Sequence, residues 1–81
     1  MRLDLALFEL RLFKSRSQAT AAIQAGHVWL NGAQTKPSHA LAVGDHIALA
    51  GRGGALEVLA LPRAGLSREA AKALLREVSS G

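Results

Sequence analysis

Near residue 26 the hydrophobic period of this chain changes from helical to twofold, and that switch constrains the fold more than any other feature. Before it, Leu3, Leu7 and Leu10 recur at helical spacing, with Ala6 and Phe13 close to the stripe. This predicts a first helix over Arg2–Phe13. Leu5, Phe8 and Leu12 widen the stripe, which implies burial on two sides or an exposed apolar patch. Ser15 then opens a capping pattern with Gln18, whose backbone N–H the hydroxyl accepts and whose side chain reaches back. A second helix follows through Ala25, with Ala19, Ala22 and Ile23 inward and Gly26 placed for a left-handed stop. After it, His27-Val28-Trp29-Leu30 alternates, and Asn31-Gly32 is a strong hairpin signal. Ala33–Thr35 is the return strand, broken by Lys36-Pro37-Ser38, because proline cannot donate to a ladder.

Further short strands are expected over Ala40–Val43, His46–Ala50 and Ala55–Leu61, separated by Gly44-Asp45 and Arg52-Gly53-Gly54. Ser67 caps a last helix in which Ala71, Leu74, Leu75 and Val78 form an i, i+3, i+4, i+7 stripe. Helices, then strands, then a helix define an α+β domain. With 81 residues there is room for one core. The 49% apolar share suits a globular fold, and the lack of cysteine leaves stability to packing, caps and turns.

Asp4, Glu9 and Arg11 interrupt the apolar opening before it could act as a signal or a span, so no membrane partner and a cytoplasmic location are expected. The net charge of +4 favours an anionic partner, most often nucleic acid. Five Lys/Arg against three Asp/Glu fall in residues 1–50, and the same numbers fall in 51–81, so any basic face must come from folding. Catalytic machinery is not expected. The six acids form no spaced pair with a base, and His27, His39 and His46 lack the tight spacing and Cys or carboxylate partners of metal sites. Gly51-Arg52-Gly53-Gly54 reads as a hairpin turn, since no helix with Lys-Ser/Thr follows it. No metal and no cofactor are expected.

A nucleic-acid reading remains. Lys14 and Arg16 sit at the junction of the first two helices, where the N–H groups of the second helix start also face outward. Ser15, Ser17, Gln18 and Thr20 add short polar groups suited to phosphate or ribose hydroxyls. A plain solvated helix start accounts for these residues equally well. Trp29 points to the sheet face opposite Val28 and Leu30, either to stack on a base or to be covered by the C-terminal helix, the second reading being preferred. Arg68, Lys72 and Arg76 at i, i+4, i+8 predict a basic ridge on the last helix. It serves either as a solvated face beside Glu69 and Glu77 or as a second basic face for RNA.

The series Arg2-Leu3-Asp4, Lys14-Ser15-Arg16-Ser17-Gln18-Ala19, Ile23, Gly26-His27-Val28, Leu30-Asn31-Gly32, Lys36-Pro37-Ser38 and Gly44-Asp45-His46-Ile47 resembles the S4 RNA-binding domain in order and spacing. The resemblance implies two packed N-terminal helices on a small bent antiparallel sheet, with residues 1–49 as the RNA-binding module. Residues 50–81 would add a strand extension and a C-terminal helix to the same domain. It also implies that Arg2, Lys14, Arg16, Ser17 and Gln18 contact RNA backbone, that Lys36 and Ser38 extend the surface, and that Asp4 orients a neighbouring cation. Apart from the resemblance, His27 and His39 either face RNA as neutral donors or stand as satisfied surface histidines, the second reading being preferred. Leu5, Glu9, Thr20 and Ala21 occupy positions where close relatives often carry basic residues, so weaker general electrostatic binding is expected.

Many S4 domains are appended to enzymes. This chain is more similar to the stand-alone heat-shock protein 15 family, and to its short form, the ribosome-quality-control S4 protein. That likeness implies ribosomal RNA and/or tRNA on obstructed large ribosomal subunits as partner. Three other roles stay open: a general structured-RNA accessory in ribosome assembly, a protein-interaction module using Leu5, Phe8 and Leu12, and an RNA-targeting subunit of a separate enzyme. The oligomeric state is not legible.

Overall fold

The computed structural model describes residues 1–78. Two helices, α1 (Leu3–Glu9) and α2 (Arg16–Gln24), precede three strands and a fourth: β1 (Val28–Leu30), β2 (Ala33–Gln34), β3 (His46–Leu49) and β4 (Ala55–Val58). A short helix α3 (Arg68–Ala73) and a last strand β5 (Leu75–Val78) complete the chain. The five strands form one antiparallel sheet in the order β2-β1-β3-β4-β5. The α+β class expected from the pattern is the class observed.

One face of the sheet carries the core. Val28 and Leu30 alternate inward from β1, Ile47 from β3, and Leu56 and Val58 from β4. Against them pack Leu3, Ala6, Leu7 and Leu10 of α1 and Ala19 and Ile23 of α2, with Leu41 closing the cluster from a loop. Leu5 and Phe8 are half-buried, and Leu12 packs on the core, so these three do not make the exposed apolar patch that was one reading of the sequence.

Helix α1 stops at Glu9 rather than Phe13. Arg11 takes a left-handed φ of 64°. Its N–H donates to the Phe8 carbonyl at 3.0 Å, and the Leu12 N–H donates to the Leu7 carbonyl at 3.1 Å. This is the two-bond helix stop usually built on glycine, made here on an arginine. The same stop ends α2 at Gly26, as its sequence position predicts. There the Gly26 N–H donates to the Ile23 carbonyl and the His27 N–H to the Ala22 carbonyl. The left-handed φ of 79° requires glycine there, and a Cβ would also displace the exposed Gln34 amide, whose Nε2 donates to the Gly26 carbonyl at 3.0 Å.

Three further expectations are corrected. Ala40–Val43 is not a strand: Ala40 forms only an isolated bridge with Arg2, and the Leu41 N–H donates to the Met1 carbonyl at 2.8 Å. Strand β4 ends at Val58, not Leu61, and Leu59 and Leu61 are exposed. The predicted C-terminal helix divides. Ser67 caps it as expected, accepting from the Ala70 N–H at 3.2 Å, but it ends at Ala73. Leu75–Val78 then pairs with β4, which would otherwise present an open edge. Arg76 is therefore on a strand, bonded to Glu57 of β4, and the three-residue basic ridge does not form. Nor does α3 cover Trp29. It packs against β5, about 14 Å from β1 at three strand spacings, and Trp29 stands half-buried on the face away from the core.

Candidate nucleic-acid interface

The first turn of α1 is organised by one buried carboxylate. Asp4 is 2% exposed. Arg2 approaches it from Nε at 3.2 Å to Oδ1 and from a terminal nitrogen at 3.0 Å to Oδ2, the two-pronged geometry that suits guanidinium and carboxylate. Arg16 reaches Oδ1 at 3.6 Å from the start of α2. The Thr20 hydroxyl donates to Oδ2 at 3.2 Å, and the Leu5 N–H donates to Oδ1 at 2.7 Å. A buried carboxylate normally rises in pKa, but the bonds from Arg2 and the Leu5 N–H outweigh that burial and hold Asp4 below the ordinary carboxylate value.

The partners of Asp4 face outward while it faces in. The Arg2 and Arg16 side chains are 52% and 47% exposed, against 3% for Asp4. Each guanidinium thus has one edge fixed by the carboxylate and donors left over toward solvent. One carboxylate cannot neutralise two cations, so the corner keeps positive charge.

The loop after the hairpin closes against the same helix start. The Leu3 N–H donates to the His39 carbonyl at 2.8 Å, and the Asp4 N–H donates to the Pro37 carbonyl at 3.2 Å. This fixes Lys36 and Ser38, both exposed, beside the Arg2 corner. They line a shallow groove of 590 Å³ with Asn31, Gln34 and His39. The groove's shape follows from the hairpin: Asn31 takes a left-handed φ of 52°, donates to Asp45 and accepts from the His46 N–H at 2.9 Å.

Arg2, Arg16 and Thr20 therefore share Asp4, and the backbone flanking Lys36 and Ser38 is bonded to the same helix start. Ser15 caps α2, accepting from the Gln18 N–H at 3.1 Å, while among the described residues the return bond from the Gln18 side chain is not made. Ser17 and Gln18 lie exposed on the first turn of α2 beside Arg16. Lys14 lines a different groove with Arg68 and Lys72, at the β5 end of the sheet. His27 leaves the far end of α2, about 15 Å along the helix from Arg16. The Thr20 contact with Asp4 could not have been found from composition, because it depends on two helices crossing.

No group of three or more His, Cys, Asp or Glu that could hold a metal occurs among the described residues. No described helix is long and apolar enough to cross a membrane.

Two helices on one face of an antiparallel sheet, with outward cations anchored at the helix junction, define a small α+β domain with a basic corner. The S4 domain model matches residues 1–47, more than half of the chain, and the chain belongs to that family. The solved structure of Heat Shock Protein 15 from Vibrio cholerae, described as trimeric, is similar to the whole chain: TM-score 0.89, 29% sequence identity, 96% of this chain covered and 81% of that one. The likeness therefore runs past the matched residues, through β4, α3 and β5. No curated protein sequence matches the chain.

Proposed function

We propose that this protein acts as a heat-shock protein 15-like factor, using the Asp4-centred corner to grip the backbone of ribosomal RNA and/or tRNA on stalled large ribosomal subunits during rescue or quality control in the cytoplasm. The observation that carries the reading is the buried Asp4, which aims Arg2 and Arg16 outward beside Lys36. Pre-aimed guanidiniums lose less freedom when a phosphate arrives, and they favour a fixed phosphate spacing over any single phosphate. That is recognition of shape, the usual mode for folded RNA. The half-buried state of Leu5, Phe8 and Leu12 speaks against a role as a protein-docking module through those residues.

Sedimentation of cell extract tests the partner. The protein should travel with free large subunits carrying peptidyl-tRNA, and the double variant Arg2→Ala/Arg16→Ala should leave that fraction. Titration against tRNA at several salt concentrations tests the site. Loss of two phosphate contacts should lower the slope of log affinity against log salt by about 1.8. Co-migration with immature subunits instead would favour the assembly role, and an unchanged slope would remove the corner from the interface.

A further inference from the structure

A second groove lies at the β5 end of the sheet, sharing no lining residue with the hairpin groove beside Arg2. It measures 860 Å³ and runs between the α1–α2 connection and the C-terminal third of the chain. Phe13 and Lys14 form one wall, Arg68 and Lys72 the other, and Leu56 and Leu75 lie in the floor. Its size is within the range of about 300–1,000 Å³ typical of sites for drug-sized ligands, enough for a short run of nucleotides.

The charge of this groove is one-sided. Five cations line it against the single carboxylate Glu77. Arg52 is paired with Glu77 at 3.3 Å, and Arg11 donates to the Leu66 carbonyl, from Nε at 3.0 Å and from a terminal nitrogen at 2.6 Å. That clasp ties the helix connection to the segment leading into α3, so the two walls are held at a set separation. Lys14, Arg68 and Lys72 are exposed and make no ion pair among the described residues. Three like charges around one cleft repel unless an anion enters it. The apolar floor and the aromatic ring of Phe13 add what a simple phosphate site would lack. Cations that follow a backbone, with an aromatic surface for a base, are the shared features of single-strand channels.

We propose that this groove binds a single-stranded RNA segment, distinct from the folded RNA gripped at the Asp4 corner; the inference rests on reading the chain as an RNA-binding protein. Lys14, Arg68 and Lys72 hold the phosphates, Phe13 supplies the stacking surface, and Arg11 positions the walls. Folded RNA at one end of the sheet and an unpaired strand at the other would together set the protein's orientation on its target.

The test uses two probes on the full chain: a fluorescein-labelled uridine hexamer and tRNA, each titrated by anisotropy. Arg68 and Lys72 are exposed and alanine suits a helix, so Arg68→Ala/Lys72→Ala keeps the fold. That variant should weaken hexamer binding about tenfold and lower its salt slope by about 1.4, while tRNA affinity changes less than about twofold. Arg2→Ala/Arg16→Ala should show the reverse pattern. Phe13→Leu should weaken the hexamer about fivefold with its salt slope intact. Unchanged hexamer affinity in the groove variants, equal loss in the corner variant, or displacement of the hexamer by polyglutamate of matched charge would each overturn the proposal. If the wild type fails to bind tRNA while the hexamer still responds to the groove variants, the proposed function falls and the groove stands.

Discussion

Asp4 shows how a single acidic side chain can serve a basic surface. Its carboxylate is the only acid in contact with Arg2 and Arg16 among the described residues, and it is the one buried charge of the core layer. Because the folded-state pKa lies below the unfolded value, the carboxylate stabilises the fold at every pH above the ordinary aspartate range, and that contribution fades as pH falls below about 4. Glu57, held low first by its bond from Arg76, fades over the same range. Asp4→Asn should therefore lower stability at neutral pH by about 1–3 kcal/mol and leave a shallower, not flat, acid limb. Urea midpoints from pH 7 down to pH 3 measure both effects. A variant with an acid limb as steep as the wild type would show that Asp4 is not the group responsible. Arg11 carries the opposite tension, since its left-handed backbone opposes a side chain that clasps Leu66. Arg11→Ala loses the clasp and keeps the strain, whereas Arg11→Gly loses the clasp and relieves the strain. The glycine variant should exceed the alanine variant by about 1 kcal/mol in urea denaturation, and equal stability would mean the conformation costs nothing here.

At the scale of elements, the sequence was most readable where one local signal decides. The Leu3, Leu7, Leu10 stripe, the Ser15 cap, the Gly26 stop and the Asn31-Gly32 turn all stand where pattern and turn chemistry put them. It was least readable where a distant partner decides. The stripe of Ala71, Leu74, Leu75 and Val78 satisfies helical spacing, yet after Ala73 the free edge of β4 draws Leu75–Val78 into the sheet. No window of the C-terminal sequence contains β4, so no local reading could have weighed it. The early end of α1 has a similar origin, because nothing in Arg11 itself announces a left-handed residue. The same division holds for the corner. The family resemblance gathers Arg2, Lys14, Arg16, Ser17 and Gln18 as RNA contacts and has Asp4 orient a neighbouring cation, but that Arg2 and Arg16 share its carboxylate depends on how α1 crosses α2. Lys14, two residues before Arg16, also lines the other groove.

For the whole molecule, residues 1–49 are not a separable unit by their packing. Val58 is fully buried in the main cluster, and its N–H and carbonyl bond to Asp45 and Gly44. A chain ending at Ala50 lacks that side chain and the strand beside β3. It should show no cooperative thermal transition by circular dichroism, whereas residues 1–78 should melt in one step. Two-step melting, or a sharp transition in the shorter chain, would overturn that expectation. The stitching of the helix start to the loop at Pro37–Ala40 has a consequence for the order of events during synthesis. As the polypeptide leaves the ribosome, Arg2 emerges early, but the carbonyls of Pro37 and His39 that fix its helix arrive some 35 residues later. Until then the first arginine is an unaimed charge on an unanchored turn. The cationic corner is thus assembled only after nearly half of the chain has been made, although its first arginine is among the earliest residues to emerge.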